Sequence, residues 1–134
     1  MPLTADKKAE WMEGRDIVFK GNIGAKIYAG ALVCAQAVLG ALLLTPAADE
    51  ASKAVIGIAL ESKEVGDNQT LLVRTTGVVK LKISGPASYP PGSDLYVVDD
   101  ETVTGDASST SYSVVAGKLV KQDDDPNYVW VRIG

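Results

Sequence analysis

Residues 54–83 read AVIGIALESKEVGDNQTLLVRTTGVVKLKI. The first eight are almost all apolar, and after a polar loop at 62–69 apolar and polar residues alternate as far as Ile83. Alternation with a period of two and enrichment in β-branched residues is typical of β-strands. Gly77 interrupts the second run without ending it, which favours a bend or bulge there because glycine has no Cβ. We therefore predict a strand, a loop and a long bent strand that forms the spine of a small β-barrel.

Shorter segments with strand character flank this spine on both sides. They are DIVFK (16–20), two short strands around Gly30, VLGALLL (38–44), LYVVD (95–99), SVVAGKLVKQ (113–122) and YVWVRI (128–133). Turn-forming stretches such as GPASYPPGSD (85–94) separate them. A chain of 134 residues is long enough for one core and short for two. The predicted fold is all-β: a single compact β-barrel-like domain over residues 16–134.

Residues 1–15 form a predicted N-terminal arm that is either extended or a short helix. Thr4 is a possible helix N-cap and Gly14 a possible stop. Trp11 and Met12 are large apolar side chains among charged neighbours, and we expect them to contact another surface. A segment this polar buries too little by itself to offset its ordering entropy. We therefore expect the arm to be mobile in the isolated protein and ordered against a partner.

Composition excludes several functional classes. The net charge is −4 and the isoelectric point is about 4.7, so a general affinity for nucleic acid or anionic membranes is not expected. The chain has no histidine, which excludes histidine-dependent triads and most zinc sites. The apolar run at 29–44 is shorter than the roughly 20 residues of a membrane-spanning helix, and the N-terminus does not resemble a signal peptide.

The single cysteine, Cys34, lies in an apolar run, so no internal disulfide is possible and we expect a buried thiol with a structural role. Two acidic clusters lack the spacing of a calcium loop and are predicted to be solvated turns. Their residues are Asp99, Asp100, Glu101 and Asp106 in one, and Asp123, Asp124 and Asp125 in the other. An enzyme with a carboxylate pair is the least favoured class, and we predict a protein without catalytic residues, metal or cofactor.

The closing strand YVWVRI is the clearest candidate for a binding surface. If Val129, Val131 and Ile133 face the core, Tyr128, Trp130 and Arg132 share the outer face. Tyrosine, tryptophan and arginine are the residue types that most often anchor protein interfaces. The plainer interpretation is a shielded flank of the domain, with Trp130 partly covered by a loop.

An alternative function from another class is an adhesion or carbohydrate-binding module displayed on a particle. Sugar rings would then stack on exposed aromatic side chains. The candidate platforms are Tyr89, Tyr96, Tyr112 and Trp130.

Several segments, in order along the chain, resemble the small capsid cement (head decoration) proteins of tailed bacteriophages. They are AGALV (29–33), PAAD (46–49), VIGIALE (55–61), VRTTGVVKL (73–81), LYVVDDETV (95–103), AGKLV (116–120) and YVWVRI (128–133). The most specific part is YVVDDxTV followed by AGK and the terminal VWVRI. Residues 1–15 match nothing in that pattern, and residues 36–39 are more apolar than the polar turn expected there.

The resemblance implies a structural virion protein with a β-tulip-like domain and without enzymatic residues, made in the host cytoplasm and located on the outer surface of the capsid. It further implies binding to the major capsid protein of a tailed phage, commonly as a homotrimer, with no nucleic acid or membrane partner. The predicted interface combines Trp11 and Met12 of the arm with Tyr128, Trp130 and Arg132 of the last strand.

Overall fold

Nine β-strands make up the regular structure of the computed structural model, which describes residues 3–9, 11–85 and 89–134. In chain order they are β1 (Trp11–Ile23), β2 (Leu32–Val38), β3 (Ala41–Pro46), β4 (Ala54–Ala59), β5 (Gly66–Ile83), β6 (Asp94–Val97), β7 (Thr102–Thr104), β8 (Val115–Gln122) and β9 (Tyr128–Ile133). A single 3₁₀ turn at Ala107–Ser109 is the one helical element of the described chain. The predicted single all-β domain is confirmed.

Strand β5 is shared by two rings of strands. The nine strands form one sheet in the order β1-β3-β2-β4-β5-β7-β6-β8-β9, and β5 also pairs with β1 and with β9. These two extra pairings close a first ring of β5, β1, β3, β2 and β4, and a second ring of β5, β9, β8, β6 and β7. The predicted order of strand, loop and long strand at 54–83 is therefore correct, although the long strand begins at Gly66, inside the predicted loop at 62–69. The long strand is the element that both rings have in common.

Gly77 marks the place where β5 passes from one ring to the other. Its φ is 139°, a region that side chains with a Cβ rarely adopt. Leu71 and Val73 before it belong to one buried cluster, whereas Val79 and Leu81 after it belong to the other. The bend predicted from this glycine thus lets one strand serve two cores.

The two cores are not independent. The first contains Ile23, Ile27, Val33, Leu44, Ala59, Leu71 and Val73. The second is larger, and Leu32, Cys34 and Ile58 from β2 and β4 of the first ring contribute to it. The first half of β2 and the second half of β4 are consequently buried on both faces, and there the sequence is a continuous apolar run rather than an alternating one.

The first strand begins five residues earlier than predicted. Residues 11–15 are extended, with Arg15 opposite Thr76, Gly14 opposite Gly77 and Trp11 opposite Val79 of β5. The short helix with Gly14 as its stop is therefore wrong, and the extended alternative is correct for this part of the segment. The functional division into an arm at 1–15 and a domain at 16–134 stays a prediction.

The described residues 3–9 have partners within the domain. The Lys7 amide donates to the Ala29 carbonyl at 2.9 Å, and the Leu3 amide donates to Asp100 Oδ1 at 2.9 Å. Asp6 accepts from the Ser62 hydroxyl, and Ala9 packs against the second core. The expectation of a segment without partners in the domain is wrong for these residues, because backbone donors and one aspartate tie it to the loops beside it.

Cys34 is completely buried and has no disulfide, as predicted. The described part of the chain contains no helix long and apolar enough to cross a bilayer.

Candidate functional site

Strand β9 alternates as its sequence predicts. Val129 and Val131 are fully buried and Ile133 is nearly so, all within the second core. Tyr128 and Trp130 are half-buried and Arg132 is exposed. The three predicted interface residues of β9 therefore share the outer face of the sheet.

Cationic side chains flank this row on both neighbouring strands. Lys80 and Lys82 of β5 lie opposite Trp130 and Tyr128, while Lys118 and Lys121 of β8 lie opposite Arg132 and Trp130. Residues opposite one another on adjacent strands project to the same side. We call this outer surface of β5, β8 and β9 the basic aromatic face; it consists of Lys80, Lys82, Lys118, Lys121, Tyr128, Trp130 and Arg132.

Asp123, in the turn between β8 and β9, holds the indole of Trp130. The Trp130 Nε1–H donates to Asp123 Oδ1 at 3.0 Å, and the Asp125 amide donates to Oδ2 at 3.2 Å. Lys80 Nζ lies 3.6 Å from the same carboxylate. Donation from the Asp125 amide and then from Trp130, together with the charge of Lys80, lowers the pKa of Asp123. Trp130 is thus oriented before any partner arrives, which reduces the entropy lost on binding.

A concave site adjoins the face where the N-terminal segment crosses it. Lys80 Nζ lies 5.0 Å from the centroid of the Tyr128 ring, a cation–π distance. Lys7, Lys8, Lys80 and Tyr128 line a cavity of about 250 Å³. Burial is the largest effect on Lys7 and lowers the pKa of its ammonium group. Three ammonium groups around one cavity favour an acidic group as its occupant.

Acidic residues neutralise only part of this surface. Lys82 Nζ pairs with Glu101 at 2.6 Å and Lys118 Nζ with Asp94 at 2.5 Å. Lys121 and Arg132 have no ion-pair partner in the described part of the chain. An acidic protein therefore presents one face that is aromatic and net basic.

The prediction of solvated turns is wrong for two of the acids. Asp100 and Glu101 are 4% and 5% exposed. Glu101 is buried and forms an ion pair with Lys82, and the Asp100 carboxylate accepts a hydrogen bond from the Leu3 amide. Burial raises the pKa of Asp100. No group of three metal-ligating side chains occurs among the residues that the structure describes.

Comparisons with known proteins find similarity in fold and, over part of a longer protein, in sequence. No protein-family model matches the chain. The structure is similar to the N base of head fiber gp8.5 of bacteriophage phi29, with a TM-score of 0.55 and 15% identity over 90% of this chain and 95% of that one. Similarity at that identity is a similarity of fold.

One curated protein matches in sequence: 3-phosphoshikimate 1-carboxyvinyltransferase of Halorubrum lacusprofundi, 28% identical over 124 residues. The match covers 86% of this chain but only 26% of that protein, so this chain spans about a quarter of its length.

Strand pairing places the backbone of the predicted Trp11 beside β5, on the edge opposite to β9. Trp11 pairs with Val79 on one edge of β5, and Val131 of β9 pairs with the same residue on the other edge. The backbone of Met12 follows in β1. The side chains of both residues lie outside the part of the structure that is described.

The sugar-binding alternative gains no support from the positions of its aromatic residues. The ring of Tyr89 packs over Gly105 and against the second core. Trp130 is held by Asp123, Tyr96 is half-buried in β6, and Tyr112 lies in a separate cavity at the start of β4. A stacking platform requires exposed rings on one surface, and these rings are dispersed.

Sequence reasoning missed the lysines as part of the site. The alternation of VVKLKI already places Lys80 and Lys82 on the outward side of β5. Their position beside Trp130 and Tyr128 depends on the pairing of β5 with β9, two strands more than forty residues apart. Lys7 and Lys8 join them only through the course of the N-terminal segment.

Proposed function

We propose that this protein is a structural virion protein, a capsid cement or decoration protein of a tailed bacteriophage. It binds the outer surface of the head and stabilises it by bridging neighbouring subunits of the major capsid protein. The observation that carries the proposal is the fold, which resembles the phi29 head fiber base over nearly the whole length of both chains. The ordered series of segments that resemble cement proteins is a second, independent argument for the proposal.

The basic aromatic face is the proposed contact with the shell. Interface anchors are enriched in tryptophan, tyrosine and arginine, and pre-oriented side chains lose less entropy on binding. Trp130 is oriented by Asp123, and Lys121 and Arg132 are available to acidic groups of a partner. The matching partner is therefore an acidic, partly apolar protein surface.

Stabilisation follows from mass action. A protein that binds the assembled shell and not its dissociated subunits shifts the equilibrium toward the shell. A copy that contacts two subunits must also be released before those subunits can separate. The proposal assigns the chain to the outside of the virion as a homotrimer, with no enzymatic step, cofactor, nucleic acid or membrane.

The enzyme match does not alter this proposal. It covers a quarter of the carboxyvinyltransferase, and activities are carried by sites rather than by segments of similar sequence.

The first prediction concerns Trp130→Ala. Loss of a central aromatic anchor typically costs about 2 kcal/mol or more, which corresponds to about a thirtyfold loss of affinity. We expect the Trp130→Ala protein to be retained less on purified capsid shells in co-sedimentation. Retention of the unmodified protein should fall as the salt concentration rises.

Tyr28→Ala is the matched control. Tyr28 is a half-buried aromatic residue with its own lysine, Lys26, 4.8 Å from the ring centroid, and it precedes β2 in the first ring. It should bind shells like the unmodified protein. If the folded Trp130→Ala protein is retained on shells as well as the unmodified protein, the basic aromatic face is not the contact. If the unmodified protein binds no shell, the proposed function is wrong.

A further inference from the structure

The hairpin between β2 and β3 ends in an unusually apolar tip. From Leu32 to Pro46 the chain has no charged residue. Residues 37–41, which we call the hairpin tip, are all exposed and read AVLGA. Leu39 at the apex is 102% exposed, and Val38 beside it is 41% exposed. A large apolar side chain fully in water at a protruding turn gains nothing for the folding of its own chain.

The backbone conformation of the hairpin tip is unfavourable for a leucine at position 39. Val38 pairs with Ala41, so Leu39 and Gly40 form a two-residue turn, with φ of 50° and 79°. Positive φ at both positions defines a type I′ turn, in which Asn-Gly is strongly preferred. Leucine is strained there, and strain kept at an exposed position points to a role in function.

A second exposed apolar feature lies at the same end of the molecule. A cavity of about 410 Å³ opens beside the start of β4 and β8, and its apolar lining includes Ala54, Val55, Tyr112, Val114 and Val115. We call it the β4–β8 pocket. Tyr112 and Val115 are 57% and 47% exposed.

The positions of the two features follow from strand pairing. Ala54 at the start of β4 pairs with Ala35 of β2, only four residues before Leu39. Four residues of strand span roughly 13 Å. Leu39 is fully exposed, so the tip does not fill the pocket of its own chain.

We propose that the hairpin tip inserts into the β4–β8 pocket of a second copy of this chain. One contact of this kind covers Val38, Leu39, Tyr112 and Val115, which are four of the eight large exposed apolar residues in the described chain. The cavity exceeds the volume of a leucine and a valine side chain. Glu50 and Lys53 at its rim form an ion pair at 3.4 Å, so no uncompensated charge is buried.

A second copy is favoured over an unrelated partner because it carries both features, so one kind of contact covers the exposed tip of one copy and the exposed pocket of another. Such a contact joins two different surfaces and forms a ring when the rotation closes and a filament when it does not. A membrane is the weaker alternative, because the hairpin lacks the basic residues that usually accompany apolar anchors on anionic bilayers. The inference specifies a contact between copies of the proposed homotrimer, and it does not depend on binding to a capsid shell.

The test is the molar mass of the purified full chain, measured by sedimentation velocity over a concentration series. We expect the unmodified protein to associate, and Leu39→Asn to weaken association at least about tenfold. Because Leu39→Asn creates the preferred Asn-Gly turn, its thermal midpoint should be equal or higher, which separates loss of contact from loss of fold. Val65→Asn, at a 63% exposed valine outside both surfaces, should associate normally.

A charge pair tests the contact itself. Leu39→Asp and Val115→Lys should each weaken association, and the double variant should recover it, because the two new charges meet only if the tip enters the pocket. An unmodified protein that stays monomeric at high concentration overturns the proposal. So does unchanged association of Leu39→Asn. If the monomeric protein binds shells or vesicles and Leu39→Asn does not, the tip docks on that surface instead.

Discussion

At the scale of single residues, Cys34 shows how closely the two rings are joined. It lies on β2, a strand of the first ring, yet its side chain packs in the core of the second. Burial raises the pKa of the Cys34 thiol. A shielded, protonated thiol is a poor nucleophile, which fits the structural role predicted from its apolar neighbours.

The second prediction is that Cys34→Ala folds, associates and binds as the unmodified protein does, with a loss of about 1 kcal/mol in the free energy of unfolding. Cys34→Ser should lose more, because it places a hydroxyl in an apolar core, where the backbone of Ala48 offers it one hydrogen bond and burial of a polar group costs about 1–3 kcal/mol. Urea denaturation measures both. A reversed order of the two variants would mean that the site is polar or accessible, and loss of binding by a folded Cys34→Ala would contradict the structural role.

At the scale of elements, the N-terminal segment and β1 make different contributions to stability. Residues 3–9 are attached by a few hydrogen bonds to loops, each worth about 0.5–1.5 kcal/mol. Residues 11–15 are part of β1 and cover the edge of β5. An uncovered strand edge is a template for pairing with other chains.

The third prediction compares two truncations. Deleting residues 1–9 should lower the thermal midpoint by a few degrees, whereas deleting 1–15 should lower it clearly more and promote aggregation through the exposed edge of β5. Differential scanning calorimetry and light scattering measure these effects. If the unmodified protein and the 1–15 deletion have equal thermal midpoints, residues 1–15 contribute nothing to the stability of the domain and form a separate arm.

The same truncations address shell binding. Lys7 and Lys8 line the cavity beside Tyr128, so the 1–9 deletion should retain its fold and weaken retention on shells. Unchanged retention would limit the contact to the strands of the basic aromatic face.

At the scale of the whole molecule, the shared strand couples the two cores. Leu71 and Leu81 are both fully buried on β5 but belong to different clusters. Leu32, Cys34 and Ile58 from the first ring pack in the second cluster. Opening either ring therefore exposes apolar surface of the other. We expect the two rings to unfold together in one cooperative transition.

The fourth prediction is that Leu71→Ala and Leu81→Ala each destabilise the whole chain by about 2–5 kcal/mol, the usual range for a large-to-small change in a core. Within each variant, hydrogen exchange should give the same free energy of opening for the slowest amides of β2 as for those of β9. If Leu71→Ala lowers protection in the first ring alone, the two rings unfold separately.

The sequence by itself determined the class of the fold, a long strand over 70–83 with its bend at Gly77, the buried Cys34, and the division of β9 into a core face and an outer face. These features depend on local alternation and on the absence of a Cβ, and both can be read from neighbouring residues. Only the tertiary structure decided that β5 belongs to two rings, that Lys80 and Lys82 flank Trp130 and Tyr128, and that Asp100 and Glu101 are buried. Each of these depends on pairing between segments far apart in the chain, because a strand's own alternation fixes which side chains share a face and not which strand lies beside it.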